Sequence, residues 1–160
     1  MKNQADARDC FTVALRLLAR RDHSCSELSR KLDERGFSRD QIQRAVERCL
    51  RFQYLDDERF AATYTEQLQR RGYGCRRIQQ MLADKAVAHE TISGCLEALC
   101  SDAVQIRDCR KAVIKKLNKN PSPDASPEAR AKLHRFLLGR GFSPAIIRQV
   151  LDEQAGRTIV

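Results

Sequence analysis

The chain has 160 residues, a formal net charge of +9 at pH 7 and a pI of about 9.5. Hydrophobic residues make up 42% of it and aromatic residues only 6%, so we expect a core of small aliphatic contacts between helices. The excess of basic residues favours an acidic partner such as nucleic acid or a nucleoprotein. Charges interrupt every apolar run and the start of the chain lacks a signal-peptide pattern, so we expect a cytoplasmic protein rather than a membrane or secreted one.

The first 53 residues show three apolar stripes with helical spacing. The first stripe comprises Ala7, Phe11, Ala14, Leu15 and Leu18. The second comprises Leu28 and Leu32, and the third comprises Ile42, Ala45, Val46 and Cys49. Glycine at 36 suits the left-handed position that ends a helix, and Ser38 can cap the helix that follows. The sequence from Ser24 to Glu27 is typical of a capping box. This region therefore predicts three short helices joined by tight turns.

The same pattern returns when the numbering is shifted by 50. Leu18, Leu28, Leu32 and Ile42 then correspond to Leu68, Ile78, Leu82 and Ile92. The acidic run 56–58 can open the first helix of this second unit, with Asp56 as its cap. Agreement at so many apolar positions in one register indicates an internal repeat.

A third copy follows at a shift of 105. The tetrapeptide at 35–38 reappears at 140–143, and Pro144 suits the first position of a helix. A long first helix, from about Asp102 to Lys119, is followed by a proline-rich segment that ends at Ser126 and Pro127. We therefore predict repeats at 1–53, 54–100 and 101–154, with a mobile loop at 118–127 and a tail at 155–160.

Apolar residues also flank the predicted caps at the spacing of a hydrophobic staple. The five pairs are Phe37–Ile42, Leu55–Phe60, Tyr73–Ile78, Val87–Ile92 and Phe142–Ile147. Together the stripes, caps and staples predict an all-α fold, an elongated array of three tandem three-helix repeats. Such arrays usually act as binding surfaces for a long or periodic partner.

No set of residues predicts an active site or a cofactor site. The run from Asp56 to Glu58 is better explained as the start of a helix than as an acid/base pair. His23 and Cys25 lie close in sequence, but no third group orients them. Gly72 and Gly74 join two predicted helices, so they do not indicate a dinucleotide-binding loop. We therefore expect a protein that is not an enzyme and binds no cofactor or metal.

The seven cysteines include no Cys-x-x-Cys pair. Several lie in phase with apolar helical neighbours, where cysteine behaves as a small apolar residue. We therefore expect free thiols, and neither a zinc site nor a disulfide framework in a reducing cytosol.

The basic residues are unevenly distributed, with net charges of +4, −1 and +6 over residues 1–53, 54–100 and 101–160. Clusters flank the first stripe, bracket the turn at 72–74 and cover the helix at 107–119. The candidate partner-binding or nucleic-acid-binding residues are Arg16, Arg20, Arg21, Arg70, Arg71, Arg76, Arg77, Arg107, Arg110, Lys111, Lys115 and Lys116. A helix-turn-helix reader on the helix after Ser38 is an alternative, but three generic helix pairs are better explained as a scaffold.

Three segments resemble the RecX family. They are 15–24 with Glu27-Leu28 and Lys31-Leu32, then 54–61, and then Arg71-Gly72-Tyr73-Gly74 with Arg76-Arg77-Ile78. The resemblance extends over roughly residues 8–153. The chain departs from the family at Ala86, where glycine is usual, at Cys75, where proline is common, and in the third repeat.

The resemblance implies three tandem three-helix repeats and a protein that modulates the RecA recombinase. RecX-like proteins bind along the RecA–DNA filament and suppress ATP hydrolysis, strand exchange and the coprotease activity of the SOS response. We expect a monomer whose partners are the RecA nucleoprotein filament and DNA, without sequence preference. A direct, sequence-tolerant DNA-binding protein is the alternative.

Overall fold

A computed structural model describes residues 9–119 and 126–157, with side chains as far as 154. Over these residues the chain forms nine α-helices and no strand, so the predicted all-α fold is confirmed. The helices are α1 (Cys10–Leu18), α2 (Cys25–Asp33), α3 (Arg39–Arg51), α4 (Asp57–Arg70), α5 (Cys75–Ala83), α6 (His89–Leu99), α7 (Asp102–Lys119), α8 (Pro127–Gly139) and α9 (Pro144–Arg157).

The nine helices form three units of three, which we call units 1, 2 and 3. All extensive contacts between the described helices lie within a unit, and each unit has its own apolar core. The largest fully buried side chains include Leu28 and Leu32 in unit 1, Ile78 and Leu82 in unit 2, and Leu137 in unit 3. The predicted array of three tandem repeats is therefore confirmed.

The first helices of units 1 and 2 are the elements whose register the sequence predicted least well. In α1 the buried residues are Cys10, Ala14 and Leu17, whereas Leu15 and Leu18 are only partly buried. The equivalents of the buried residues in α4 are Ala61, Thr65 and Leu68, a shift of 51 rather than 50. The connections to the second helices also differ, at 19–24 and 71–74, and burial aligns Leu68 with Leu17 rather than with the predicted Leu18. Ala7 lies outside the described residues.

The turns after α2, α4, α5 and α8 share a left-handed residue that ends the helix. Gly36, Gly72 and Gly141 occupy this position with φ of +83°, +82° and +88°. In unit 2 the same position is taken by Ala86 at φ +51°. The alanine therefore retains the turn, although its Cβ makes the conformation costly.

The predicted caps are present at several helix starts. Ser38 and Gln41 form a reciprocal capping box, and the Asp56 carboxylate accepts from the backbone N–H of Arg59 at 2.9 Å. Ser24 caps α2 by accepting from Glu27 N–H, but the Glu27 side chain does not return to Ser24. It forms ion pairs instead, as described below, so only half of the predicted capping box exists.

The limits of the units also differ from the prediction in places. Leu55, predicted to staple to Phe60, is buried in the core of unit 1, whereas Phe60 lies in that of unit 2. Each of the other four predicted pairs shares a core. Residues 120–125 of the predicted loop lie outside the described residues. Helix α9 continues to Arg157, into the predicted tail, and 158–160 again lie outside.

One cysteine pair contradicts the expectation of free thiols only. Cys75, at the start of α5, and Cys100, directly after α6, form a disulfide with a Cα–Cα distance of 6.1 Å. They are 25 residues apart, and only the packing of α5 on α6 brings them together. The other five cysteines are free thiols.

Candidate partner-binding surface

Units 1 and 2 are joined by a polar network, the first joint, centred on Glu27. This carboxylate is 3% exposed and accepts two hydrogen bonds from Arg21, at 2.8 and 3.0 Å, and one from Lys85 Nζ at 2.9 Å. The hydrogen bond from Arg21, supported by Lys85, lowers the pKa of Glu27 from 4.5 to about 2. Arg21 belongs to unit 1 and Lys85 to unit 2, so one buried charge holds the two units together.

Two further hydrogen bonds cross the first joint at the N-terminus of α2. Ser24 Oγ donates to the Lys85 carbonyl at 2.7 Å, and the Cys25 N–H donates to Asp57 Oδ1 at 2.8 Å. The start of α2 is therefore capped partly from its own unit and partly from α4. Asp57, at the start of its own helix, also satisfies a backbone donor of the unit before it.

Units 2 and 3 meet at a second joint, where two backbones touch. Gly74 N–H donates to the Arg140 carbonyl at 2.8 Å, and Arg76 N–H donates to the Gly141 carbonyl at 3.2 Å. A Cβ at Gly74 would lie 2.6 Å from Gly141 O, and a Cβ at Gly141 would lie 2.4 Å from the nitrogen of Arg77. Only glycine fits at either position.

The Arg140 side chain closes the second joint. Its guanidinium lies 4.8 Å from the ring centroid of Tyr73 and 5.2 Å from that of Phe136, and it donates to the Arg71 carbonyl at 3.2 Å. An arginine between two aromatic faces gains cation–π attraction in both directions. The two glycine-containing turns at 71–74 and 140–143 thus build the contact between the units.

The structure separates the twelve predicted basic residues into three groups. Five are in ion pairs: Arg21 with Glu27, Arg70 with Glu66, Arg107 and Lys111 with Asp108, and Arg110 with Glu153. Arg77 is hydrogen-bonded to Gln80, and Lys116 lies 5.1 Å from the centroid of the Phe136 ring. Five are exposed and form no ion pair within the described residues: Arg16, Arg20, Arg71, Arg76 and Lys115.

The basic face of α7 is therefore less positive than the sequence suggested. Asp108 is buried, at 5% exposure, yet its carboxylate lies 2.9 Å from Arg107 and 4.0 Å from Lys111. Lys116 is half-buried, which limits its availability to a partner. The outward face does contain Ile114, which is 51% exposed, lies one turn after Lys111 and directly precedes Lys115.

A second surface, on unit 1, was missed by the sequence reasoning. Phe52 and Tyr54 are 49% and 52% exposed, and their ring centroids lie 6.0 Å apart. The Arg48 guanidinium lies 3.9 Å from the centroid of the Phe11 ring, and that of Arg51 lies 5.3 Å from the Phe52 centroid. We call these five residues the aromatic–arginine patch. The alternation of aromatic and basic residues after 47 was a signal that could have revealed it.

The side chains whose chemistry would suit catalysis or metal binding were also located in the structure. His23 is buried, its Nδ1 lies 2.8 Å from the Arg21 carbonyl, and burial lowers its pKa. A shallow groove between α4 and α6 contains Glu58 and Glu90. Over residues 9–119 and 126–157, no group of three or more His, Cys, Asp or Glu side chains could hold a metal ion. No described helix is long and apolar enough to cross a bilayer.

Three small helical units joined in sequence, each with its own core, define a helical-repeat protein. Comparison with known families identifies each unit. Residues 10–49, 56–96 and 105–151 match the first, second and third three-helix domains of RecX. The chain belongs to the RecX family.

Curated relatives named "Regulatory protein RecX" support this over almost the whole chain. The protein of Trichlorobacter lovleyi is 32% identical over 91% of this chain and 95% of its own. That of Vibrio vulnificus is 34% identical over 91% and 93%, and that of Legionella pneumophila 36% over 89% and 93%. The crystal structure of RecX from Lactobacillus salivarius has the same fold, with a TM-score of 0.78 and 21% identity over 90% of this chain and 93% of that one.

Proposed function

We propose that this protein binds the RecA–DNA filament in the cytoplasm and inhibits its ATP hydrolysis, strand exchange and SOS coprotease activity, thereby modulating DNA repair and recombination. Membership of a family of regulatory proteins supports the proposal. The structural observation that carries it is the pair of joints. A row of three units fixed at two points presents one continuous surface to a partner that is itself a row of identical subunits.

The joints suggest how inhibition would work. RecA subunits must rearrange relative to one another in each cycle of ATP hydrolysis, and a ligand bound across neighbours opposes that movement if its own parts hold their spacing. The first joint holds units 1 and 2 through Glu27, and the second holds units 2 and 3 through the backbones at Gly74 and Gly141. One monomer would therefore affect several linked subunits.

The surfaces that would contact the partner follow from exposure and charge. Arg16, Arg20, Arg71, Arg76 and Lys115 are the most available of the basic residues that we propose for binding. Around Ile114 on α7, and in the aromatic–arginine patch, basic residues surround exposed apolar groups. Interfaces gain most of their energy from such aromatic, aliphatic and arginine anchors.

The test is a titration of RecA ATPase activity and of cosedimentation with preformed filaments, at low and high salt. We expect inhibition at less than one protein per RecA subunit, and binding to filaments at salt that abolishes binding to free DNA. Inhibition that appears only when the protein outcompetes RecA for free DNA would contradict filament binding.

Direct, sequence-tolerant DNA binding is the second candidate, and the aromatic–arginine patch favours it. Exposed rings beside guanidinium groups can stack on single-stranded bases. This function predicts an affinity that falls steeply with salt, with a log–log slope near −0.7 per phosphate neutralised on single strands.

Charge reversal on α7 tests the surface itself. Replacing Lys111 and Lys115 with Glu should preserve helicity, because both are exposed, and should weaken filament binding by about tenfold or more. Lys116 is left unchanged because it contacts Phe136. The matched control reverses the exposed Lys132 and Arg135 on α8, which changes the net charge equally. Equal weakening by both double variants would show a general charge effect and exclude α7 as the contact face.

A further inference from the structure

Cys75 and Cys100 lie where unit 2 meets unit 3. Cys75 is the first residue of α5 and follows Gly74, whose N–H bonds across the second joint. Cys100 follows the last residue of α6 and lies two residues before α7 of unit 3. Both side chains are only partly buried. Their Cα–Cα distance of 6.1 Å falls within the range that a disulfide spans without backbone movement.

We propose that Cys75 and Cys100 are a redox-active dithiol, reduced under ordinary cytoplasmic conditions, whose oxidation to a disulfide locks the second joint. The proposal concerns these two sulfurs and does not depend on the proposed function.

Four of the other five cysteines lie in surroundings unlike those of this pair, and Cys95 lies in the interior of α6. Cys10, Cys49 and Cys109 are buried in the cores of their units. Burial raises the pKa of Cys109 to about 11, and burial together with the nearby Asp57 raises that of Cys25 to about 12. A thiol reacts as its thiolate, so these groups are inert at neutral pH.

Cys75 is the sulfur that we expect to react first. It occupies the start of a nine-residue helix, and the N-terminal end of a helix stabilises negative charge. Arg76 and Arg77 follow it directly. Cys100 is positioned to resolve the intermediate because its Cα lies 6.1 Å from that of Cys75, and its sulfur lies 3.8 Å from the Gln69 amide nitrogen.

The oxidant that we name is a small disulfide such as oxidised glutathione. The Cys75 thiolate attacks one of its sulfurs, forming a mixed disulfide and releasing one glutathione thiolate. The Cys100 thiolate then attacks the Cys75 sulfur, forming the Cys75–Cys100 bond and expelling the second thiolate. Two protein thiols are oxidised and one glutathione disulfide is reduced to two thiols, so atoms and electrons balance.

Oxidation would change the second joint because the disulfide completes a closed loop that runs through unit 3 and the hydrogen bonds of the joint. The chain leaves unit 2 at Cys100, passes through unit 3 and returns to the joint at Arg140 and Gly141, which accept from Gly74 and Arg76. With the disulfide formed, the start of α5 is covalently tied to the point where the chain enters unit 3. In the reduced state only non-covalent contacts hold α5 in this place.

The first test counts thiols in the full chain after equilibration in buffers of varied reduced-to-oxidised glutathione ratio. We expect alkylated cysteines to fall from seven to five as the ratio falls, with a peptide containing Cys75 linked to one containing Cys100. Cys95 lies in the same tryptic peptide as Cys100, so Cys95→Ser is the matched control and should retain the loss of two thiols. Persistence of that loss in Cys75→Ser, a different pairing, or seven thiols throughout would overturn the proposal.

The second test measures amide hydrogen exchange at Gly74 and Arg76, whose N–H groups cross the joint. Oxidation should slow exchange at both by about tenfold or more, while amides of α1 in unit 1 remain unchanged. In Cys100→Ser the oxidant should have no effect on either amide. Equal exchange in the reduced and oxidised wild-type protein would overturn the locking of the joint.

Discussion

Backbone conformation at single residues separates this chain from an ideal repeat. Gly36 and Ala86 occupy equivalent turns in units 1 and 2, 50 residues apart, and both have positive φ. The left-handed region costs an alanine roughly 1–2 kcal/mol because its Cβ approaches the following carbonyl. At this turn, unit 2 therefore retains a strain that unit 1 avoids.

Exchanging the two residue types tests this difference. Ala86→Gly should raise the free energy of unfolding by about 0.5 kcal/mol, since relief of strain exceeds the greater entropy of glycine in the unfolded chain. Gly36→Ala should lower it by about 1 kcal/mol, although a Cβ there would meet no atom within 4 Å. Urea denaturation measures both. A destabilising Ala86→Gly would show that the turn is not strained.

The charge on Glu27 makes stability depend on pH. Its folded-state pKa, about 2, lies below the ordinary value of 4.5, so ionised Glu27 stabilises the fold at pH above 4.5. This stabilisation, about 3 kcal/mol, is lost as the pH falls from 4.5 towards 2. In Glu27→Gln, denaturation curves should show a correspondingly smaller loss over this range. Glu34→Gln, at an exposed site nearby, should keep the wild-type dependence.

At the scale of the helices, capping and apolar spacing predicted where most elements begin and end. Gly36 and Gly141 end helices, and Ser38 and Asp56 cap the starts of α3 and α4. These features were predictable because they depend on neighbours within five residues. The register of α1 was wrong because helical spacing alone does not distinguish Leu17 from Leu18. The joints were not predicted at all, since Gly74 and Gly141 meet only after two units have folded.

The glycine contact at the second joint can be tested without disturbing either helix. Gly74 has φ −88°, which any residue adopts, so Gly74→Ala should act mainly through the clash, with a smaller loss from alanine at the N-cap of α5, and lower stability by about 1–3 kcal/mol. Gly94→Ala is the control, because it lies in α6 with no atom within 4 Å of its Cβ. It should stabilise by about 0.5–1 kcal/mol. Equal effects in thermal unfolding would mean that the backbones do not touch.

For the whole molecule, three separate cores imply three local stabilities. Leu32→Ala should cost about 2–5 kcal/mol through a cavity in unit 1. Amide hydrogen exchange should then accelerate in α1, α2 and α3 far more than in α7 and α9. Leu137→Ala, in the core of unit 3, should give the reverse pattern. Uniform acceleration in either variant would indicate that the chain unfolds as one body.

The candidate binding surface was only partly predictable from the sequence. Counting charges located basic clusters, but it could not show that Asp108 pairs with Arg107 and Lys111 or that Lys116 lies on Phe136. The residues after 47 indicated an aromatic and basic cluster, but not the exposure of Phe52 and Tyr54, because that exposure depends on where α3 ends. Ion pairing and exposure are properties of the folded surface rather than of spacing.

The Asp57 carboxylate that caps α2 makes the repeats interdependent. A polypeptide cut between 53 and 54 would leave unit 1 without Leu55 in its interior and without the acceptor for Cys25 N–H. A fragment that holds unit 1 must therefore extend through Asp57, beyond the end of the predicted first repeat. Moving or duplicating unit 1 would likewise require the opening residues of α4 to be transplanted with it.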